Sequence, residues 1–369
     1  MRPLRVGVAG AGIGIRYAES FARVEGAEVV ALCAATRRNA GPAALALGIE
    51  GVYTSYEEML ARAELDIVAI ATPNHLHREM ALAAIAAGAH VLCDKPLAMN
   101  AGEAAAMWRA AEGAGVRHVV PFWWRFLPAV QAAHALLAGG ALGEPWFADV
   151  RYLNCGWGDP HGPMRWQFER ARAGSGALGN VGSHAIHVLE WLAGELRRVC
   201  AHTAISVRER RRADGSTARP DVEDTVAFVG ELAGGAPVAF LASSVAHHVR
   251  SAFEIAVHCS EGSVSVTALS HWPDGPDGRL MVMRRGEQAP GVVAAPPLAG
   301  TAGLAQALSP QDVAYTAIAA ELVAAIREGR PVAPGFADGV RVLAVLDAAL
   351  ASASAGGWAV PDAPAMVAA

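Results

Sequence analysis

Arg5-Val6-Gly7-Val8-Ala9-Gly10-Ala11-Gly12-Ile13-Gly14-Ile15 decides how the rest of this chain is read. The first five residues read as a short buried strand, and the glycines after them form most of a G-x-G-x-x-G turn opening a helix from about Ile13 to Val24. Gly10 allows the tight strand-to-helix reversal, and Gly12 lets a pyrophosphate approach the backbone. The helix start at Ile13-Gly14 points its positive end at the phosphates. Ile15 stands where a small residue normally lets helix and strand pack closely. Either the helix sits farther out or Gly14 takes up the slack.

Outward from this turn, strand-like runs at Val29 to Cys33, Asp66 to Ala71, His90 to Cys93 and His118 to Val120 alternate with helical segments. The helical ones are Arg38 to Leu47, Tyr56 to Ala63, His75 to Ala87 and Ala101 to Ala114. Regular βαβα alternation predicts a parallel, doubly wound sheet of the Rossmann kind, and continuous apolar strands with alanine-rich crossovers are what burial on both faces requires. The end of the second strand distinguishes the nucleotides. An NAD-selective site offers a carboxylate to the ribose 2′-hydroxyl there, but no acid occurs from Ala31 through Ile49. Ala34-Ala35-Thr36-Arg37-Arg38 stands in its place, and a guanidinium fork beside a hydroxyl suits a 2′-phosphate. Arginines here can also simply open a solvated helix. Missing acid and present base together favour NADP, with NAD as the alternative.

Near Pro121 the pattern changes. After one more helix, Pro128 to Leu137, come longer strands with aromatic or alternating content: Trp146 to Asn154, Val199 to Arg208, Asp224 to Leu232, Val238 to Val245, Phe253 to His258 and Ser263 to Thr267. Hairpin turns at Ala233-Gly234-Gly235 and Ser260-Glu261-Gly262 imply antiparallel neighbours. The expectation is an α/β chain in two parts: a Rossmann domain at 1–122, and an α+β domain at 123–369 with a large open antiparallel sheet. The Pro/Gly-rich excursion from Pro273 to Pro310 reads as a surface loop or an oligomer contact, and helices at Asp312 to Arg327 and Ala337 to Ala353 close the chain.

Composition agrees with two domains, since 369 residues exceed one ordinary core and 53% hydrophobic with 18% charged residues fits a compact soluble protein. A formal net charge of −5, with no basic stretch dense enough to track a phosphate backbone, argues against a nucleic-acid partner. Arg208 to Arg212 comes nearest and reads as a solvated hairpin end. Five widely spread cysteines, an odd count without a C-x-x-C pair, imply reduced thiols in the cytoplasm. Strand character by residue 5, and alanine-rich stretches broken by Gly, His or charge, imply a chain neither exported nor inserted in a membrane.

Asp94-Lys95-Pro96 follows the apolar run His90-Val91-Leu92-Cys93, at the carboxyl end of a sheet strand, where a lysine can face a nicotinamide. It is one of five motifs that occur in order. The others are Val8-Ala9-Gly10-Ala11-Gly12, Ala71-Thr72-Pro73-Asn74-His75-Leu76-His77, Phe122-Trp123-Trp124-Arg125-Phe126-Leu127-Pro128, and Gly176-Ala177-Leu178-Gly179-Asn180-Val181-Gly182-Ser183-His184. In these motifs, over nearly its whole length, the chain resembles the Gfo/Idh/MocA oxidoreductases, the family of glucose-fructose oxidoreductase and inositol dehydrogenase. The resemblance implies a Rossmann domain followed by an α/β domain whose open sheet commonly builds dimers or tetramers, and NAD(P)-dependent chemistry on sugars or cyclitols.

The glycine turn and the end of the second strand place Gly10, Gly12, Ile13, Gly14, Thr36, Arg37 and Arg38 with the cofactor, and the resemblance, carried over residue by residue, adds Thr72, Pro73, Asn74, His77, Asp94 and Lys95. Lys95 matches the active-site lysine: beside a bound carbinol it can stabilise developing alkoxide charge and share the proton. His184 matches the histidine that serves the dehydrogenases as general acid/base. The segment Gly176 to His187 reads as a glycine-rich turn entering a helix, with Asn180, His184 and His187 near one face. Relatives normally carry aspartate at the first of these and often at the last. Asn180 can hydrogen-bond the imidazole but cannot stabilise its charged form, so His184 is expected to hold its proton less tightly and Lys95 to carry more of the proton work. Substrate contacts are expected from Lys95, Trp124, Arg125, Trp166, Asn180, His184 and His187. His184, His187 and Glu190 share a helix but lack a clear third-ligand geometry, so no metal is expected.

Three readings follow. The leading one is hydride transfer between NADP and a ring hydroxyl or ketone of a sugar, glycoside or cyclitol. In the second, a retained cofactor transiently oxidises a ring carbon so that a substituent is eliminated, as in some glycosidase relatives. The third is a non-catalytic NADP-binding regulator.

Overall fold

The computed structural model describes residues 2–270, 278–298, 300–301 and 303–364. The first part runs β1 (Leu4–Ala9), α1 (Gly14–Ala22), β2 (Ala27–Cys33), α2 (Arg37–Leu47), β3 (Gly51–Tyr53), α3 (Tyr56–Arg62), β4 (Ile67–Ile70), α4 (His77–Ala86), β5 (His90–Cys93), α5 (Ala101–Ala114) and β6 (His118–Val119). All strand pairs are parallel, in the order β3-β2-β1-β4-β5-β6. This is the doubly wound Rossmann order, and its switch point lies between β1 and β4. The inner strands are apolar on both faces, with all four residues of β4 buried. Helix starts use local chemistry: Ser55 accepts from the Glu58 amide at α3, and Asn100 accepts from the Glu103 amide at α5. β3 escapes the sequence pattern because it holds three residues at a sheet edge.

The second part contains α6 (Pro128–Ala138), β7 (Pro145–Asn154), α7 (Arg170–Ala173), α8 (Ser183–Ala193), β8 (Leu196–Ala204), a small hairpin of β9 (Arg210–Arg211) and β10 (Thr217–Ala218), then β11 (Thr225–Leu232), β12 (Pro237–Ser243), β13 (Ser251–Cys259), β14 (Gly262–Ser270), β15 (Arg279–Arg284) and β16 (Gly291–Val293). Eight strands form one sheet in the order β16-β15-β14-β13-β7-β12-β11-β8. It is antiparallel except at β7–β12, where the pairing is parallel. β7 takes the centre, with β13 antiparallel on one side, so the oppositely directed β12 must run parallel to it on the other. Alternation sorts the two faces. Ala148, Val150 and Tyr152 of β7 point into the core under α8, while Phe147, Asp149 and Arg151 point out. Phe228 and Phe240 pair directly across β11 and β12, with their rings stacked at 4.1 Å.

Part of the excursion expected as a loop instead extends the sheet as β15 and β16. Residues 273–277, 299 and 302 of it lie outside the described residues. β8 forms the other edge, where Val199 and Ala359 exchange backbone hydrogen bonds, each 2.8 Å, and Arg198 lies 4.6 Å over the Trp358 ring. The arginine-rich run is only partly solvated. Arg211 and Arg212 are exposed, but Arg210 is buried, its guanidinium 3.9 Å above the Phe168 ring and donating to the Trp157 and Asp159 carbonyls.

Helices α9 (Pro310–Glu328) and α10 (Phe336–Ala355) end the chain. The chain divides into two compact units at Pro121–Phe122, but Gln311–Val340 returns to the first unit and Arg341–Asp362 to the second. The division expected at residue 122 assigned all of that C-terminal segment to the second part. Within the first unit His118 stacks on Phe336 at 4.5 Å and its Nδ1 accepts from the Phe336 amide. Among the described residues no helix is long and apolar enough to cross a membrane.

Candidate active site

In the first unit the glycine turn closes at the sheet switch point. Gly10 has φ +112°, and a Cβ there would lie 2.2 Å from the Ala71 carbonyl oxygen, so only glycine fits. At Gly12 a Cβ would meet nothing within 4 Å. The open space lies where a pyrophosphate must come closest to the backbone, which fits a dinucleotide. Gly14 resolves the alternative raised by Ile15. A Cβ on it would lie 3.2 Å from both Val8 and Ala71 side chains, so Gly14 makes the close helix–strand approach and Ile15 need not be small. Ile13 caps α1 without a side-chain hydrogen bond, and the first turn carries no acid, which leaves the positive helix end available to an anion. At the end of β2, Thr36 is the N-cap of α2 and Arg37 and Arg38 are its first two residues; all three are exposed.

The segments after β4 and β5 are tied together by His77. The imidazole is enclosed, with Nε2 2.9 Å from the Thr72 carbonyl and Nδ1 3.1 Å from that of Pro96. His77 therefore holds these two segments together, with both ring nitrogens engaged by backbone carbonyls. Thr72 and Pro73 remain half-exposed, and Asn74 is buried at the start of a short 3-10 turn. Lys95 is half-buried; burial pushes its ammonium pKa down, and the neighbouring Asp94 charge opposes that.

In the second unit the glycine-rich run is itself helical: Leu178–Gly182 forms a π-helix that leads directly into α8. An i→i+5 turn of this kind is frequent at functional sites. His184 and His187 are both 3% exposed. His187 stacks on Phe122 at 4.4 Å, and His184 meets Phe122, Trp123 and Tyr152 edge-on or tilted. Trp124 is enclosed, with Trp123 stacked at 4.1 Å and Phe253 at 4.7 Å. Expected among the substrate contacts, Trp124 is buried and supports the aromatic wall. Arg125 lies 4.2 Å over the Trp191 ring, which also stacks on His134 at 3.9 Å. Trp166 is half-buried in a 3-10 turn, Trp166–Phe168. Among the described residues no group of three or more His, Cys, Asp or Glu could hold a metal ion.

Three features were missed in the sequence. Glu223, 3% exposed, accepts from the Gly176 amide at 2.7 Å and the Leu178 amide at 3.1 Å, while its backbone carbonyl accepts from Ala177 at 2.8 Å. It thus caps the helix that carries Asn180 and His184 from another element. Burial pushes its carboxyl pKa up, against the two amides that favour the charge. Tyr17 on α1 donates to Asp94 Oδ1 at 2.8 Å. The third was open to counting: of 30 basic residues 29 are arginine, and Lys95 is the one lysine in the chain.

Comparison with known proteins agrees with this architecture. Residues 4–122 match the family described as "Oxidoreductase family, NAD-binding Rossmann fold", and residues 130–265 match the GFO/IDH/MocA C-terminal domain. Levoglucosan dehydrogenase of Pseudarthrobacter phenanthrenivorans is 31% identical over 86% of each chain. D-apiose dehydrogenase of Paraburkholderia graminis is 29% identical over 90% of this chain and 83% of its own. A solved levoglucosan dehydrogenase in complex with NADH and L-sorbose superposes with a TM-score of 0.87 at 29% identity, covering 98% of this chain and all (100%) of that one. With both domains matched and a relative aligned over most of its length, this chain belongs to the Gfo/Idh/MocA oxidoreductase family.

Proposed function

We propose that the protein transfers hydride between NADP and a ring hydroxyl or ketone of a sugar, glycoside or cyclitol. The observation that carries this reading is the one lysine of the chain standing directly after β5, beside the glycine turn at the carboxyl edge of a dinucleotide-type sheet. Relatives named for levoglucosan, D-apiose and 1,5-anhydro-D-fructose support the substrate class. A bound nicotinamide nucleotide supplies the hydride acceptor. Lys95 donates a hydrogen bond to the reacting oxygen and steadies its developing negative charge, and His184 is the general acid/base that the family resemblance implies. Gly10, Gly12, Gly14 and the start of α1 hold the pyrophosphate. Thr36, Arg37 and Arg38 hold the 2′-phosphate; no acid stands in the first turn of α2 to repel it. Solved complexes of levoglucosan dehydrogenase contain NADH; for this chain the arginine pair, with no acid from Ala31 through Ile49, is what favours NADP.

The outward face of the eight-stranded sheet, with Phe147 44% and Val229 53% exposed, supports a homodimer or homotetramer built on it. Five free cysteines support a reducing, cytoplasmic setting.

The test is a spectrophotometric screen of pyranoses, glycosides and cyclitols with NADP and NAD in parallel and product analysis of each mixture. NADP reduction with a ring polyol is expected, together with a rise of about tenfold or more in the NADP Kd of Arg37→Ala/Arg38→Ala and an NAD Kd that barely moves. Equal use of both nucleotides by the native chain and the variant would overturn the NADP assignment. Substrate cleavage without net cofactor reduction would instead favour a retained-cofactor lyase, and cofactor binding with no turnover would favour a regulator.

A further inference from the structure

We propose that Tyr17 is a positioning residue for Lys95, acting through the hydrogen bond from its hydroxyl to Asp94; the inference rests on the role of Lys95 proposed above. Asp94 Oδ1 accepts from the Tyr17 hydroxyl and from the backbone amide of Lys95, each at 2.8 Å. The same oxygen thus ties helix α1 to the peptide from which the lysine side chain departs. The Asp94 amide donates to the Ile70 carbonyl at 2.9 Å, so the backbone here is anchored on β4 as well.

Tyr17 has little freedom. It is 1% exposed, and its ring meets Tyr315 of α9 edge-on, with centroids 5.1 Å apart and planes at 86°. Gln311 Nε2 donates to the Tyr315 hydroxyl at 3.0 Å, and Arg16, next to Tyr17 on α1, donates to Gln311 Oε1 at 2.6 Å and lies 3.6 Å from Asp312. The returning C-terminal helix thereby buttresses the phenol. Burial and the Asp94 charge push the Tyr17 pKa well up, which keeps the hydroxyl a donor. Around this pair stand also Tyr315, the buried Cys93 thiol, pushed up by burial, and the buried His77, pushed down by burial. At Lys95, burial works against the ammonium form and Asp94 works for it. A carboxylate free to turn away would leave burial the stronger influence, so whatever fixes Asp94 also fixes the proton affinity and the aim of Lys95.

Because the chain contains one lysine, growth on lysine labelled with 13C at Cε gives one lysine side-chain signal, and its titration can be followed in the full chain without cofactor or substrate. The experiment compares the native chain with Tyr17→Phe, Asp94→Ala and the double variant. Asp94→Ala is expected to lower the Lys95 pKa most, and Tyr17→Phe to lower it by about half a unit or more. The double variant is expected to titrate with Asp94→Ala, since no acceptor is left for the phenol to hold. On a working substrate Tyr17→Phe should lose about tenfold in kcat while its cofactor Kd stays within about twofold. A Lys95 titration unmoved by Tyr17→Phe, or a Tyr17 effect that adds in full to that of Asp94→Ala, would overturn the proposal. Should Tyr17→Phe alone not fold, the double variant, in which neither partner is left unpaired, decides by the same comparison. The titration needs no turnover, so a chain that oxidises no sugar would sink the proposed function and leave this result standing.

Discussion

Removing the Glu223 carboxylate should loosen one helix and leave the rest of the protein in place. In Glu223→Ala the buried amides of Gly176 and Leu178 lose their acceptor. Each orphaned amide costs roughly 1–3 kcal/mol, so about 2–6 kcal/mol is lost at this turn. Part is returned, because burial already disfavours the Glu223 charge and pushes its pKa up. A net loss of about 3 kcal/mol corresponds to a rise of roughly 100-fold in the local opening constant. Hydrogen exchange followed by mass spectrometry on peptides covering residues 174–193 reads this directly, with peptides of the first unit as an internal standard. Glu223→Gln keeps an oxygen acceptor for the amides and should exchange within about tenfold of the native chain. With its pKa raised in the folded state, Glu223 holds a proton more tightly there than when unfolded. Its drag on stability is therefore complete above the folded pKa and fades as pH falls toward the unfolded value near 4.3. Exchange of Glu223→Ala within about threefold of the native rate would refute the capping argument and show that the π-helical turn holds itself.

Lys95→Met should lower turnover by about 100-fold or more while cofactor binding persists; survival within a few-fold would remove Lys95 from the chemistry. Gly12→Ala meets open space, so apo stability should be nearly unchanged while cofactor Kd rises steeply, whereas Gly10→Ala should destabilise the first unit itself. Calorimetry with and without nucleotide separates the two, and equal behaviour would contradict the cradle. His90 and His118 accept backbone amides of Arg117 and Phe336 through Nδ1, and burial pushes both pKa values down. Their stabilisation is complete above the unfolded pKa near 6.5 and is lost as pH falls below it. The thermal midpoint of the first unit should drop from pH 7 to pH 5, and a His90→Asn/His118→Asn variant that keeps the whole drop would show that the slope comes from other groups.

What could be read from sequence was what neighbouring residues determine. The glycine turn, the βαβ alternation and Asp94-Lys95-Pro96 are local patterns, and the structure forms its strands and helices within a few residues of them. β15 and β16 are hidden because a strand is recognised by its partner: β15 pairs with β14 across a Pro/Gly-rich stretch, and β16 with β15. Trp124 is expected to touch substrate and Arg210 to be solvated, yet Tyr152 and Phe253 pack against the first and Phe168 and Trp157 against the second, all distant in sequence. Glu223 carries no signal of its own, since its role comes from a turn 47 residues upstream. The isolation of Lys95 among 29 arginines was visible by counting alone, because arginine satisfies every surface charge but cannot lend and recover a proton near neutral pH.

The tail that pairs with β8 has a meaning for how this protein behaves in a crowded solution. A sheet edge offers unpaired amides and carbonyls to any passing extended chain, and long flat edges seed aggregates. At one end of this sheet the edge strand β16 is three residues long, too short to template much. At the other, Ala359 occupies Val199, and Trp358 lies against Arg198. A chain cut before Trp358 would uncover Val199 on the outer edge of nine-residue β8, and strand-swapped polymers, rather than simple unfolding, would be its characteristic failure.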